Sequence, residues 1–350
     1  CAPNSSVKDL CKGTTEKVLN ELLEPICISA LNISASQADG QLFLNVIKDT
    51  LFAGLGASDF LIPYGDLSDT FAKPAAVWLA QNNCEVLTHQ RIISLEALSH
   101  LGQLHWKLHF ANTKEPTDQI TLQSEIYDHV VLACNAPNAA QVIEKSYLDY
   151  QAQAKNEVND VLAWPQHTQQ WLTTTRALEF NSITTVYLAY KGKGLAQAML
   201  ALNSSYTEPA QFVFDKAYLK GPKGVLAFVI SASQSLDANN TKLGELVLQQ
   251  GRRVFPELEL SLLDVITEKR ATFSCHVGHQ RPSQSIGQNV WACGDYVHEK
   301  YPATLEAAVQ TGQQVAQALE AILRTKQFLV ERADQVMRAL RVFGDGKADF

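Results

Sequence analysis

The feature that most constrains this chain is a short apolar strand that leads, through one glycine, toward a helix near the end of the sequence. Residues 289–293 are predicted to form a buried strand, since 290–293 are all apolar, and Gly294-Asp295 follow it directly. A helix is then predicted to open at Pro302-Ala303-Thr304. Small residues at a helix start leave backbone N–H groups unblocked at the positive end of the helix dipole. This unit therefore suits an anionic group such as a phosphate.

Two interpretations of this unit stay open on spacing alone. Gly294 would let a ligand approach the backbone closely, and Asp295 can accept hydrogen bonds from ligand hydroxyls. The same spacing also fits an ordinary strand, loop and helix with a capping turn.

Upstream, the hydrophobic period changes from helical to strand-like. The helices are predicted over residues 14–31, 36–52 and 68–82, with Ser36 as the N-cap of the second. An antiparallel meander is predicted from strands over 85–95, 104–110 and 119–126. The apolar run 129–134 that follows is typical of a buried parallel strand.

A second pattern fills the middle of the chain before the C-terminal unit. Strands are predicted over 184–190, 225–232 and 268–273, and an amphipathic helix over 242–255. The C-terminal helix is predicted to pack through one apolar stripe, formed by Leu305, Ala308, Val309, Gly312, Ala316, Leu319 and Leu323.

Composition narrows the class of partner. The formal net charge is -7 and the pI is near 5.7, which argues against a nucleic-acid partner because no basic face would displace phosphate counterions. The seven cysteines form no CxxC pair, so free thiols are expected. Cys275, His276 and His279 have no second cluster at ligand spacing, so no metal site is predicted. No apolar stretch reaches the roughly 18 residues of a membrane span.

An ordered series of motifs resembles one family. Gly294-Asp295 with the segment 301–309 is similar to the C-terminal flavin motif of the amine oxidase and phytoene desaturase superfamily. Further segments, in the same order, resemble its squalene-associated, hydroxysqualene dehydroxylase branch: 22–25, 30–32, 41–46, 58–63, 66–68, 269–273 and 281–282. The resemblance covers roughly residues 15 to 323. It implies an α/β fold with α+β insertions: an incomplete Rossmann-like FAD-binding domain of the amine oxidase type with a mixed substrate-binding domain.

The resemblance also implies FAD as the cofactor. The backbone of Ile92 would contact the adenine end, and Gly294 and Asp295 would lie by the pyrophosphate and the ribityl chain. The helix opening at Ala303 would present the N–H groups of Thr304 and Leu305 to the flavin C2 carbonyl.

The implied reaction is reductive removal of a hydroxyl from hydroxysqualene, which gives squalene. Asp59 and Asp66, in a loop between helices, are candidates for the acid that protonates the leaving oxygen; a solvated carboxylate or a helix cap are the alternatives. Arg270 is a further catalytic candidate, or an ion-paired strand residue. Tyr64 stands where this branch is expected to carry a basic residue and Ala307 where Gly is usual; the first puts nearby substrate contacts in doubt.

The GxGxxG segment with which family members begin is not recognised in this sequence. Gly54-Leu55-Gly56 follows a helix and lacks the third glycine. The expected partners are a long isoprenoid, a separate N-terminal FAD-binding half and a peripheral membrane contact at helix 36–52 or segment 195–200. The expected location is the cytoplasm, peripheral to the inner membrane. Two alternatives stay open: a carotenoid desaturase-like flavoenzyme, and a non-catalytic isoprenoid-binding remnant.

The domain organisation is expected in five parts. Residues 1–70 are the helical part of the substrate domain, 71–137 carry the meander within the FAD domain, and 138–280 form the substrate-binding domain. Residues 281–325 provide the C-terminal FAD-binding strand and helix, and 326–350 an extra helix and tail.

Overall fold

The computed structural model describes residues 4–100, 103–113, 122–154 and 164–344. The helices are α1 (Val7–Leu10), α2 (Glu16–Val18), α3 (Glu24–Leu31), α4 (Gly40–Thr50), α5 (Lys73–Gln81), α6 (Ala136–Ala154), α7 (His167–Arg176), α8 (Asn240–Val254) and α9 (Leu305–Gly344). The strands are β1 (Gln90–His100), β2 (Gln103–Asn112), β3 (Leu122–Tyr127), β4 (Val130–Leu132), β5 (Phe180–Lys191), β6 (Met199–Ala201), β7 (Phe212–Asp215), β8 (Val225–Ser231), β9 (Glu259–Phe273), β10 (Ser285–Gly287) and β11 (Val290–Ala292). Cys1, the start of the third predicted meander strand and the tail after residue 344 lie outside the described residues.

The middle of the chain forms a five-stranded antiparallel sheet in the order β6-β7-β8-β5-β9. Alternate residues of β5 and β8 are buried, as the period of two requires, and they include Val186, Leu188 and Phe228 at 0% exposure. Helix α8 packs on this sheet through Leu243 and Val247. The predicted strands and helix of this region are confirmed, although β9 is longer than predicted.

The candidate residues Gly294 and Asp295 follow β11, which belongs to a small sheet with the strand order β10-β11-β4. Strands β11 and β4 are parallel, with Val290 opposite Val130 and Ala292 opposite Leu132, which confirms the buried parallel strand predicted at 129–134. The antiparallel meander β1-β2-β3 is confirmed as well. Trp106 of β2 is fully buried, and its indole N–H donates to the carbonyl oxygen of Gln288 at 2.9 Å. This bond ties the meander to the turn between β10 and β11.

Strand β4 forms one edge of the small sheet. The N–H of Val130 donates to the carbonyl of Asn289, and the carbonyl of Leu132 accepts from the N–H of Cys293. Because backbone groups alternate in direction along a strand, the N–H and C=O of Val131 point away from β11. Among the described residues no strand pairs with that side, and Val131 is 37% exposed. The small sheet therefore ends in an open hydrogen-bonding edge.

Asn32 connects helix α3 to the five-stranded sheet. It ends α3 in the left-handed conformation, with φ 54°, and is 3% exposed. Its side-chain amide donates to the hydroxyl of Thr272 at 2.9 Å, and its side-chain oxygen accepts from the N–H of Ala232 at 2.5 Å. Its carbonyl accepts from the side chain of Asn181 at 2.9 Å. The side chain and the carbonyl of one buried residue thus satisfy groups from β5, β9 and the turn after β8.

Two details of the predicted helices are wrong. The N-cap of α4 is Asp39 and not Ser36, because the Asp39 carboxylate accepts the N–H groups of Gln41 and Leu42 at 2.9 and 3.0 Å. The predicted stripe of α9 is also rotated from the face that packs. Ala307, Thr311 and Val315 are buried, whereas Leu305, Val309, Ala316 and Leu323 are exposed. The hydroxyl of Thr311 bonds to Gly294, and this polar contact turns the helix away from its most apolar face.

Apolar packing divides the described residues into two clusters. One draws on α3, α4, α6, α7, the meander and the small sheet, and the other on the five-stranded sheet and α8. The five predicted domain boundaries stay a prediction. Across the described ranges, no helix is long and apolar enough to cross a membrane. Nor does that part of the chain hold a group of three or more His, Cys, Asp or Glu arranged for a metal ion.

Candidate functional site

The carboxyl ends of β4 and β11 lie side by side because the two strands are parallel. Strand β11 runs into Cys293 and Gly294, then a 3-10 turn over Asp295–Val297, a loop and α9. The N–H of Gly294 donates to the hydroxyl of Thr311 at 2.9 Å, which fixes the strand end against α9. In open parallel sheets, ligands bind beyond the carboxyl ends of the strands. The two strand ends therefore define the first candidate position for a ligand.

Gly294 is required by its surroundings. Its φ is +151°, and a Cβ atom there would lie 2.9 Å from Cε1 of Tyr296. A side chain would have to displace that ring, which packs where the backbone turns from β11 into the loop. Glycine at this position is thus a requirement for close packing of the strand end.

Tyr296 carries a buried hydroxyl without a hydrogen-bond partner among the described residues. The residue is 1% exposed, and burial raises the pKa of its phenol, with Cys134 and Cys293 among the neighbours that contribute. A buried hydroxyl that bonds to nothing costs roughly 1–3 kcal/mol. This donor therefore points to a polar group that the described protein atoms do not supply.

Asp295 is half-buried beside Tyr296. Burial raises the pKa of its carboxyl, while the backbone N–H of Tyr296 and the charge of Arg281 act in the opposite direction. It makes no ion pair in the described part of the chain. A carboxylate in this state remains available to accept hydrogen bonds from a ligand's hydroxyl groups.

The first turn of α9 has unused donors. Thr304 is the cap, since its hydroxyl oxygen accepts from the N–H of Ala307 at 3.1 Å and its carbonyl from Ala308 at 3.2 Å. The N–H groups of Leu305 and Glu306 bond to no acceptor within the described ranges. Leu305 is 73% exposed, so this end of the helix is accessible. Free N–H groups at the positive end of a 40-residue helix attract anionic or strongly polar groups.

Ile92 lies in a cleft of about 1060 Å³ between β1, β4 and α6. The cleft is lined also by Arg91, Val131, Cys134 and Lys145. Because the carbonyl of Cys134 would lie 3.9 Å from a Cβ on Gly294, the cleft extends toward the strand ends. The structure thus brings Ile92, Gly294 and Asp295 to one end of the small sheet, with the start of α9 joined to it by the loop.

None of the three catalytic candidates is among the described residues that line the cleft beside Ile92. Asp59 is exposed in the loop after α4. Asp66 is exposed as well, and its carboxylate accepts the N–H of Asp69 at 2.8 Å, as a helix cap does. Arg270, exposed on β9, lines a second cleft of about 420 Å³ with Arg176 and with Glu144, which also lines the first cleft. Their roles stay a prediction.

Sequence reasoning missed two residues of the site. Tyr296 gave no signal, because an orphaned hydroxyl is visible only once its neighbours are known. Arg281 entered only as part of a matching dipeptide, yet its guanidinium donates to the carbonyls of His298 and Tyr301, in the loop before α9. A lone charged residue beside a proline carries no sequence pattern that would have marked it as buried.

Comparison with known proteins now adds a family. Residues 35–319 match the family described as flavin containing amine oxidoreductase. The chain is 25% identical over 322 residues to a hydroxysqualene dehydroxylase of Zymomonas mobilis, covering 89% of this chain and 65% of that protein. It is 24% identical over 328 residues to a zeta-carotene desaturase of Synechocystis, covering 89% and 64%. The chain therefore spans slightly less than two thirds of the length of these curated relatives.

Solved structures show the same fold. An oxidoreductase from Methanosarcina mazei superposes with a TM-score of 0.61 at 13% identity, covering 89% of this chain and 68% of that one. A triple mutant of putrescine oxidase superposes with a TM-score of 0.62 at 12% identity, covering 91% and 68%. At such identities the likeness establishes the α/β fold class and nothing about substrate.

Proposed function

Since the chain belongs to the family of flavin containing amine oxidoreductases, we propose that it is the larger part of an FAD-dependent oxidoreductase that acts on a long isoprenoid. The proposed reaction is reductive dehydroxylation of hydroxysqualene to squalene. The hydroxysqualene dehydroxylase of Zymomonas mobilis is 25% identical over 89% of this chain, which supports this choice of reaction.

One structural observation carries the proposal: the segment that leads from β11 through Gly294 and the loop into α9 carries several polar groups without a partner in the described chain. The hydroxyl of Tyr296 is buried without a partner in the described chain, and the N–H groups of Leu305 and Glu306 are free there. These are groups that a flavin dinucleotide, with its carbonyls, ribityl hydroxyls and phosphates, is able to satisfy. The residues present therefore fit the cofactor.

Each part of the cofactor has a proposed contact. The backbone of Ile92 would lie at the adenine end, along the cleft of about 1060 Å³. Gly294 and Asp295 would lie at the pyrophosphate and the ribityl chain. The start of α9, from Ala303 through Thr304 to Leu305, would face the C2 carbonyl. When bound and reduced, the flavin supplies a hydride.

The proposed substrate is supported by an apolar surface. The segment from the end of α4 through α5 exposes large apolar side chains, and Leu61 is 95% exposed. The others include Phe52, Leu55, Phe60, Tyr64, Leu67, Phe71 and Trp78. Soluble monomers rarely expose so many together, and such surfaces mark binding sites for apolar partners. This segment is a better candidate for contact with an isoprenoid, or with a membrane surface, than segment 195–200, where Leu195 is 7% exposed.

The proposed dehydroxylation requires the protein to donate one proton. In the proposed reaction a C–O bond breaks, a hydride forms the new C–H bond, and the departing hydroxide takes a proton to leave as water. Two electrons come from the reduced cofactor. Asp59 and Asp66 lie in the same exposed apolar segment and are the proposed donors of that proton. Arg270 is the third proposed catalytic residue.

The open edge of β4 supports a further partner. Val131 presents its backbone N–H and C=O to the cleft that holds Ile92. We place there the nucleotide-binding half that supplies the GxGxxG turn, because an added parallel strand would satisfy these groups. The assembled protein is proposed to work in the cytoplasm, at the surface of the inner membrane.

A second function has support of its own. The zeta-carotene desaturase of Synechocystis is 24% identical over 328 residues, almost as similar as the dehydroxylase. A desaturase would remove a hydride and a proton from neighbouring carbons of a polyene, so that a C=C bond forms; the flavin would accept the hydride and a base the proton. The two functions thus differ in the direction of hydride transfer, and both need a long apolar site.

Flavin absorbance titration tests the proposal. The chain is titrated with FAD alone and then together with the nucleotide-binding half of a close relative, and Gly294→Val serves as the site variant. We expect tight binding in the mixture, loss of binding in the variant, and squalene from hydroxysqualene under reducing conditions. Desaturation of zeta-carotene without squalene formation would favour the second function. If the folded protein binds no flavin either alone or in the mixture, both proposed functions are contradicted.

A further inference from the structure

Arg281 is a half-buried cation without a carboxylate partner in the described part of the chain. It lies in the loop between β9 and β10, with its guanidinium carbon 4.6 Å from the ring centroid of Phe273. Burial lowers the pKa of this guanidinium. Charged side chains are rarely placed inside a protein without an ion pair, because desolvation is costly. Its contacts therefore need a reason beyond charge neutralisation.

The guanidinium acts as a bridge. Its Nη1 donates to the carbonyl oxygen of His298 and to that of Tyr301, the latter at 2.6 Å. Its Nε donates to Nε2 of His279 at 3.0 Å. One planar side chain thus connects the segment after β9 to two points of the loop between β11 and α9.

That loop depends on such bonds because it has no regular secondary structure from His298 to Thr304. The Nδ1 atom of His298 accepts the N–H groups of Lys300 and Tyr301 at 3.2 and 3.1 Å. The side-chain amide of Asn45 donates to the carbonyl of Lys300 at 2.8 Å. The loop determines where the free N–H groups at the start of α9 point.

Arg281 also has an electrostatic effect on the site. His298, whose carbonyl accepts from Arg281, donates its own N–H to the carbonyl of Asp295 at 3.2 Å, so a chain of two hydrogen bonds links Arg281 to Asp295. The acidic groups that act on the pKa of Arg281 are Asp295 and Asp39, and the charge of Arg281 opposes the rise in pKa that burial imposes on Asp295. Cys275 lies beside it, with Sγ 3.9 Å from Nη2, and burial raises the pKa of this thiol to about 11. The thiol therefore stays neutral and leaves the charge of Arg281 to act on Asp295.

We propose that Arg281 is the positioning residue of the flavin site: it holds the loop from His298 to Tyr301 and so aims the N-terminus of α9, while its charge keeps Asp295 an acceptor. The second half rests on the proposed function. The first half concerns this chain's own loop and stands without the cofactor.

Two substitutions separate geometry from charge. Arg281→Met removes both, whereas Arg281→Lys keeps the charge and loses the fork that reaches two carbonyls. Arg253→Met is the matched control, because Arg253 pairs with Glu208 on the surface of the other region. All variants are made in the 350-residue chain.

Hydrogen exchange of the chain without flavin tests the positioning. We expect the amides of Lys300 and Tyr301 to exchange at least about tenfold faster in Arg281→Met and to an intermediate degree in Arg281→Lys. The control should match the parent. Unchanged exchange in Arg281→Met would overturn the proposal whatever the flavin result, and exchange accelerated across the whole chain would show a folding defect and count against a local role.

FAD affinity across pH tests the charge, in the same mixture as above. Arg281→Met should bind roughly ten- to hundredfold more weakly near neutral pH, and its affinity should fall at a higher pH than the parent's as Asp295 protonates. Arg281→Lys should keep the parent's pH profile. Identical profiles in all three would overturn the electrostatic half. If the parent itself binds no FAD, the proposed function fails, and the exchange result alone decides the positioning role.

Discussion

The five-stranded sheet and the small sheet around β11 are built from similar apolar strands, yet they are enclosed to different degrees. In the first, β5 lies between β8 and β9, and α8 covers a face. In the second, β4 has a strand on one side only among the described residues, and Val131 is 37% exposed. The backbone groups of Val131 on that side therefore have no strand partner in the described chain, whereas β5 bonds to a strand on each side.

The difference also locates the chemistry. In the region of the five-stranded sheet, buried polar groups bond to one another: the side-chain amide of Gln250 accepts the N–H of Ala210 at 3.0 Å and donates to its carbonyl at 2.9 Å. At the small sheet, the hydroxyl of Tyr296 has no hydrogen-bond partner in the described chain, and β4 borders the cleft of about 1060 Å³. Unsatisfied groups and open space occur together there, as expected of a region that binds something.

The largest loss of stability is expected for a substitution in the core of the five-stranded sheet. Phe228→Ala removes a fully buried ring, 6.4 Å from that of Phe255, and should lower the free energy of unfolding by about 3–5 kcal/mol. Val131→Ala at the open edge should cost about 1 kcal/mol or less. Urea denaturation measures both. Equal losses would mean that the two regions are equally enclosed.

The open edge can be tested with proline. Leu132→Pro removes an N–H that faces β11 and should cost about 3 kcal/mol or more. Val131→Pro removes an N–H that faces the cleft and should cost clearly less in the chain alone. Thermal unfolding compares the two. If Val131→Pro instead blocks association with the nucleotide-binding half, the edge is the docking site; equal destabilisation by both would argue that the edge is already paired.

The junction between the regions should respond next. Asn32→Asp keeps the acceptor for Ala232 and loses the donor to Thr272, and should cost about 1–3 kcal/mol. Asn32→Ala loses both and also places alanine at φ 54°, so it should cost more. Calorimetry shows whether the two regions still unfold together. A single unchanged transition in both variants would contradict the bridging role.

The smallest effect should depend on pH. Because burial raises the folded-state pKa of Asp295, its ionisation disfavours folding, and stability is lost as pH rises through that pKa. Asp295→Asn should therefore raise the melting temperature at neutral pH and have no such effect below the carboxyl's usual range. Flavin binding should weaken in the same variant. A variant less stable than the parent at pH 7 would contradict the sign.

The sequence by itself determined the elements that depend on local periodicity. The meander, the parallel strand at 129–134, the strands of the central sheet and the strand, glycine and helix around Gly294 all follow from spacing that adjacent residues impose. The family and the α/β class followed from motif order. Ser36 failed as a cap because Asp39, three residues later, places a carboxylate on the same free N–H groups.

Only the tertiary structure decided which groups meet. The packing face of α9 follows Thr311, not the most apolar stripe, because the Thr311 hydroxyl bonds to the end of β11. The orphaned hydroxyl of Tyr296 and the bridge made by Arg281 likewise depend on residues distant in sequence. None of Asp59, Asp66 and Arg270 is among the described residues that line the cleft beside Ile92. Burial and hydrogen bonding are properties of neighbours in space, and a sequence pattern reports only neighbours along the chain.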